Sequence, residues 1–207
     1  MNTVDREQKV YLVDDDDAMR DSLVWLFEGR GLRVQAYSSA EGFLADYKPG
    51  QLYGCVILDI RMPGMSGLEL YKEIVRQPCP LPVIFVTGHG DIPMAVEALK
   101  KGATDFIEKP FNDKEIALLV ERCLEKERSE RAVREREAAI THRLAQLTAR
   151  EHEVMECIVA GRMNKQIADE LGISIKTVEV HRARVMDKMA VNSVAELVQC
   201  MMTVRKT

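Results

Sequence analysis

The chain has 207 residues and a formal net charge of -4, from 29 Lys+Arg against 33 Asp+Glu. That length is generous for one hydrophobic core and comfortable for two. No apolar run approaches the ~18 residues of a membrane-spanning helix, and no N-terminal stretch joins a basic end to an apolar core, so neither membrane insertion nor export is supported and a cytoplasmic location is expected.

Up to Phe111 the pattern alternates between strand and helix. Strands are predicted over 10–13, 33–37, 55–58, 83–86 and 105–107, as short β-branched and aliphatic runs bounded by polar residues. Helices are predicted over 18–28, 40–47, 68–76 and 92–101, with Gly29 and Gly102 as stop signals. This alternation implies an α/β flavodoxin-like unit, a five-stranded parallel doubly wound sheet with right-handed crossovers.

From Asn112 the character changes. Asn112 reads as an N-cap, and no Gly or Pro follows until Gly161. Ile116, Leu119, Cys123, Lys126, Glu130, Val133, Glu137, Ile140, Leu144 and Leu147 recur at steps of three and four, a heptad seam spoiled in its middle by charge. The expected division is residues 1–125, a helical linker or weak coiled coil over 126–146, and an all-α four-helix unit over 147–207. In that last unit Thr148 with Glu151 is a capping-box signature, Gly161 and Gly172 end helices, and Ser174 and Ser193 begin them.

The acid is concentrated early. Residues 1–111 hold 12 Lys+Arg against 17 Asp+Glu, whereas residues 148–207 hold 9 against 8. The slightly basic end is compatible with a nucleic-acid partner without demonstrating one. Cys55, Cys79, Cys123, Cys157 and Cys200 have neither zinc nor disulfide spacing and read as reduced packing residues.

Four aspartates, Asp14 to Asp17, follow the first strand, and Asp59 follows the third. In open α/β sheets ligands bind outside the carboxyl ends of the strands, so Asp14, Asp15 and Asp59 are expected to converge on one pocket. Like charges that close repel unless a cation sits among them, and hard oxygen ligands select Mg²⁺.

Four motifs stand at strand ends: the aspartate pair, Asp59 with Arg61-Met62-Pro63-Gly64, Thr87-Gly88-His89, and Lys109-Pro110-Phe111. Together they resemble a two-component receiver domain over residues 8 to about 125. The resemblance implies that Asp59 is the phosphoacceptor, attacking a phosphoryl group carried by a histidine of a sensor kinase. It implies Mg²⁺ held by Asp15, Asp59 and the backbone carbonyl of Arg61, with Asp14 in the first shell or behind a water. Lys109 would meet the phosphoryl oxygens, and Thr87 and Phe106 would form the switch. Position 106 lacks the hydroxyl that some relatives carry, which excludes a hydrogen-bonded form of that switch. Asp17 is expected to cap the first helix and Asp16 to line the pocket rim.

The C-terminal segment carries Leu147-Thr148, Arg150-Glu151, Gly161, Asn164-Lys165, Ile167-Ala168 and the run Lys176-Thr177-Val178-Glu179-Val180-His181-Arg182 continuing to Lys188-Met189. These resemble the LuxR-type helix-turn-helix, which implies double-stranded DNA as a partner. The third helix of this unit would enter a major groove with Lys176, Thr177, Glu179, Val180, Arg182, Arg184 and Lys188, while Asn164 and Lys165 meet the backbone. Glu179 can accept from cytosine N4 and Arg182 or Arg184 can grip guanine or phosphate, although some family members carry Lys at position 179.

Taken together, the motifs most resemble the FixJ group of response regulators. That implies a DNA-binding transcriptional regulator, not an enzyme, that forms a homodimer on phosphorylation through Ile92, Val96, Lys100 and Phe106. A rival reading notes that Asp14-x-Asp16 resembles haloacid-dehalogenase phosphohydrolases, with Asp14 as nucleophile and Asp16 as general acid. Ala18 stands where that motif wants Thr or Val, and no insertion supplies a cap domain.

Overall fold

The computed structural model describes residues 7–78, 80–88 and 91–204. The described residues form two compact units, divided between Glu130 and Arg131.

The first unit alternates β1 (Lys9–Val13), α1 (Asp17–Glu28), β2 (Arg33–Tyr37), α2 (Ala40–Asp46), β3 (Gly54–Asp59), α3 (Gly67–Val75), β4 (Val83–Thr87), α4 (Ile92–Lys100) and β5 (Asp105–Glu108). All strand pairs are parallel, in the order β2-β1-β3-β4-β5. The order reverses between β1 and β3, which opens a crevice at their carboxyl ends. β3 and β4 are buried along their whole length, as apolar runs covered on both faces must be. One face of the sheet packs Tyr11, Phe43, Leu58, Leu70 and Phe85 beneath α2, α3 and α4. The other packs Leu12, Phe27, Ile57, Ile84 and Ile116 beneath α1 and the start of α5 (Asp113–Leu144). Asn112 caps α5, its side chain accepting from the N–H of Glu115 at 2.9 Å.

One local expectation is corrected. Asp16, not Asp17, caps α1: its carboxylate accepts from the N–H groups of Ala18 and Met19 at 2.9 and 3.2 Å. Asp17 is the first helical residue and pairs with Arg20 one turn on, favourable at the positive end of the helix dipole. α1 stops at Glu28 with Gly29 as its C-cap, as expected. Gly29 remains right-handed at φ -61°, and it is Gly31, at φ 78°, that takes the left-handed turn open to a residue without Cβ.

α5 has 32 residues. Its first turns give Ile116, Val120 and Cys123 to the core of the first unit, whereas Ile140 lies in the core of the second. That second unit holds α6 (Ala149–Val159), α7 (Asn164–Leu171), α8 (Ile175–Met189) and α9 (Val194–Val204) around Val154, Ile158, Ile167, Val178, Val185, Met189 and Leu197. The turn between α7 and α8 closes through Ile173 N–H to the Ala168 carbonyl at 3.0 Å. Cys55, Cys123, Cys157 and Cys200 are free thiols, and Cys79 lies outside the described residues. No helix among the described residues is long and apolar enough to cross a membrane.

Candidate functional site

Asp14 follows β1 and Asp59 ends β3, so the pairing of these adjacent parallel strands brings the two carboxylates together. One oxygen of each is held by local backbone. Asp14 Oδ1 accepts from the N–H of Asp16 at 2.8 Å and Asp59 Oδ1 from that of Arg61 at 2.9 Å. The other oxygen of each faces Lys109, whose Nζ lies 2.6 Å from Asp59 Oδ2 and 3.0 Å from Asp14 Oδ2. Asp15 completes the cluster from solvent: oxygens of Asp14, Asp15 and Asp59 lie within 4.8 Å of one another. Arg20 steadies the base of the pocket by donating from Nη1 to the Asp14 carbonyl at 2.7 Å.

Asp14 is 1% exposed and Asp59 9%. Burial pushes the Asp14 pKa up, and hydrogen bonds from the Asp16 N–H and Lys109 offset only part of that rise. Burial alone would lower Lys109; its hydrogen bonds to Asp59 and Asp14 reverse the effect, and its pKa stands above the ordinary value. The ammonium therefore remains charged between two carboxylates. Hard anionic oxygens, two of them held by backbone N–H groups, suit a small divalent cation, with Mg²⁺ fitting on donor chemistry.

Thr87 ends β4 fully buried, its hydroxyl donating to the neighbouring Gly88 carbonyl at 3.1 Å. Lys109 N–H donates to the Thr87 carbonyl at 2.8 Å, so the backbone sets these two residues side by side. Phe106, on β5 in register with Phe85, is half-buried against the core under α3 and α4. Val96 and Lys100 are exposed on α4, while the Ile92 side chain, His89 and Gly90 lie outside the described residues. Asp16, needed by the phosphohydrolase scheme as an acid, is spent as the α1 cap.

Gly67 was not singled out from the sequence, and it is indispensable to the pocket's backbone. A Cβ there would lie 2.0 Å from the carbonyl oxygen of Asp59, a distance that only movement of backbone can relieve. Gly67→Ala is therefore expected to destabilise the first unit by about 3 kcal/mol, the upper end for overpacking, with a matching fall in the midpoint of thermal unfolding.

In the second unit, α8 buries Val178, Val185 and Met189. Lys176, Glu179, Val180 and Arg184 are exposed, and Thr177 and Arg182 are half-exposed. The Thr177 and Ser174 hydroxyls share a hydrogen bond at 2.8 Å, within the cap of the helix. Asn164 opens α7 and Lys165 is exposed beside it. Lys188, expected at phosphates, has its ammonium elsewhere: Nζ lies 2.6 Å from Glu151 Oε2 and 3.1 Å from the Gln146 carbonyl. Glu151 is 2% exposed and closes the capping box of α6 with Thr148.

The response regulator receiver domain family matches residues 10–121, and the luxR family of bacterial regulatory proteins matches residues 145–201. The transcriptional regulatory protein FixJ of Bradyrhizobium diazoefficiens is 47% identical over 195 residues, covering 93% of this chain and 94% of that protein. The C4-dicarboxylate transport transcriptional regulatory protein DctR of Rhodobacter capsulatus is 45% identical over 190 residues, 91% of this chain and 96% of the relative. Among solved structures, response regulator StyR superposes with a TM-score of 0.89 at 40% identity, covering 95% of this chain and 98% of that one. Full-length FixJ from B. japonicum gives 0.58 at 43% identity, covering 97% and 98%.

Proposed function

The chain belongs to the two-component response regulators that join a receiver domain to a luxR-family DNA-binding unit, and on that footing we propose that Mg²⁺-dependent phosphorylation of Asp59 by a sensor histidine kinase drives its dimerisation and operator binding. The observation that carries this reading is Lys109 seated between Asp59 and Asp14 at 2.6 and 3.0 Å. That arrangement sets a cation beside the Asp59 carboxylate, at the place where phosphoryl oxygens would arrive.

In the transfer an oxygen of Asp59 attacks phosphorus as the P–N bond to the kinase histidine breaks. The imidazole leaves with the bonding electron pair, and Asp59 becomes an acyl phosphate. Lys109 stays charged throughout and turns from carboxylate to phosphoryl oxygen, so no proton need move at the pocket. The N–H of Arg61 keeps Asp59 in a fixed orientation, which is the positioning a loose transition state requires. Asp15, Asp59 and the Arg61 carbonyl would hold Mg²⁺, with Asp14 as a further or water-mediated ligand. Bound there, the ion supplies neutralisation of the charge on the transferring group.

Thr87 then exchanges its bond to Gly88 for one to the phosphoryl group, and Phe106 turns into the space vacated. The face bearing Ile92, Val96, Lys100 and Phe106 would pair with a second copy. Two linked α8 helices would read paired half-sites through Lys176, Thr177, Glu179, Val180, Arg182 and Arg184, with Asn164 and Lys165 on the backbone. Lys188 would act on DNA indirectly, by holding α8 to Glu151.

The test is oligomeric mass and DNA affinity of the full chain, with Mg²⁺, with and without a small phosphodonor. A shift from monomer to dimer with affinity gained on the order of a hundredfold is expected from bivalency. Unchanged mass and affinity would sink the reading. A second measurement addresses the cation. Mg²⁺ at 100 times its dissociation constant should stabilise the receiver by about 2.7 kcal/mol through mass action, and Asp59→Asn should remove most of that gain in thermal unfolding.

A further inference from the structure

Arg61 does more than hold Asp59 through its backbone. Its Nε donates to both carboxylate oxygens of Asp91 at 2.8 Å, and its Nη2 donates to Oδ1 at 2.6 Å. This is the fork geometry in which a guanidinium grips a planar oxyanion. The two partners differ in exposure: the Arg61 side chain is 70% exposed and that of Asp91 4%. The carboxylate is thus withdrawn from water against a cation that reaches in from the surface. Asp91 occupies the N-cap of α4, where an aspartate ordinarily accepts a hydrogen bond from the first turn. It makes no such bond. Pro93 has no N–H to offer, so Met94 N–H is the donor a cap here would take, and that group bonds the Asp91 main-chain carbonyl at 2.9 Å instead.

We propose that Asp91 is an internal stand-in for the phosphoryl group: Arg61 grips Asp91 until Asp59 is phosphorylated, then turns to the phosphoryl oxygens and releases Asp91 to cap α4. The inference rests on phosphorylation of Asp59 as proposed above. Arg61 is tethered two residues from the phosphoacceptor, and its N–H already touches the Asp59 carboxylate. A phosphoryl group brings more charge and more acceptor oxygens than a carboxylate, and guanidinium matches it bidentately. The released carboxylate is not stranded, because the Met94 N–H in the first turn of α4 can exchange the Asp91 main-chain carbonyl for it. α4 carries Val96 and Lys100, so the exchange reaches the face expected to pair. Arg61 is on this view a positioning residue for the switch and a second cationic ligand of the product.

The full chain would be followed by sedimentation equilibrium with Mg²⁺, with and without acetyl phosphate, as wild type, Asp91→Asn, Arg61→Gln and the double variant. Both single variants should tighten donor-free dimerisation roughly tenfold, the scale of one cap interaction. The double variant should be no tighter than either. With acetyl phosphate, Asp91→Asn should reach the wild-type dimer affinity, whereas Arg61→Gln should fall roughly tenfold short of it. Should Asp91→Asn fail to fold, Arg61→Gln gives the same donor-free reading from an exposed side chain. Donor-free dimerisation at the wild-type level in the folded variants overturns the proposal, as does a wild-type dimer affinity with acetyl phosphate in Arg61→Gln or additive effects in the double variant. A wild-type chain that itself fails to dimerise with acetyl phosphate overturns the activation reading and this one with it, and it is recognised without any variant.

Discussion

Asp59→Asn is expected to abolish labelling by a radioactive phosphodonor, at least a hundredfold below wild type, because the amide offers no nucleophilic oxygen. The same change should leave the metal-free receiver slightly more stable, since it relieves repulsion in a pocket where burial already raises the Asp14 pKa. A raised carboxylate pKa means that the folded pocket binds a proton more tightly than the unfolded chain. The cost of the Asp14 charge is therefore absent below the ordinary carboxylate range and grows as pH rises through the folded pKa. Lys109→Met should act in the opposite direction on stability. It leaves Asp14 and Asp59 facing each other without their cation, a loss of about 3–5 kcal/mol for a broken buried pair. It should also slow phosphorylation by 10² to 10³, roughly the effect of removing one donor to a developing oxyanion. Labelling kinetics and thermal unfolding of the two variants separate these effects. A stabilised Asp59→Asn that still takes label at the wild-type rate would place the phosphoacceptor elsewhere.

Glu151→Gln is expected to destabilise the second unit by about 2 kcal/mol, from a weakened capping box and an ammonium left without its counter-charge. Glu151 Oε2 accepts from Lys188 Nζ at 2.6 Å and from Thr148 N–H at 2.8 Å. The bond to Lys188 is the larger cause, and with the cap bond it holds the Glu151 pKa down to about 2. A depressed carboxylate pKa contributes stability that is fully present above the unfolded value near 4.5 and is lost as pH falls toward 2. Amide exchange protection in α6 and α8 of the full chain should therefore decline over that window in the wild type. In Glu151→Gln it should be lower at neutral pH and flatter with acid. Lys188→Met should reproduce the neutral-pH loss, and it should weaken DNA binding less than its charge alone suggests. A wild-type profile with no acid dependence between pH 4.5 and 2 would remove this role from Glu151.

Much of the site was legible in the sequence because its determinants are local. A strand buried on both faces must be an apolar run, and a carboxylate that ends such a run must emerge at the sheet's carboxyl edge, so Asp14 and Asp59 could be placed without coordinates. Motif order then supplied Lys109 and Thr87. The choice between Asp16 and Asp17 as cap was not legible: both are good cap residues one position apart, and only the backbone shows which carboxylate meets the Ala18 and Met19 N–H groups. Gly67 gave no signal at all, because its constraint is the carbonyl of Asp59 pressing from another segment.

The sequence by itself determined the wound sheet, the carboxylate pocket at its edge and the helical unit that follows, since hydrophobic period, caps and strand-end charge are written within a few residues of one another. Only the tertiary structure decided which charges meet. Lys109 reaches Asp14 across 95 positions, Lys188 reaches Glu151 across 37, and Arg61 reaches Asp91 across 30. Such pairings depend on the register of strands and the packing of helices, and an exposed Lys or Arg reads the same in sequence whether it faces DNA, water or a buried carboxylate.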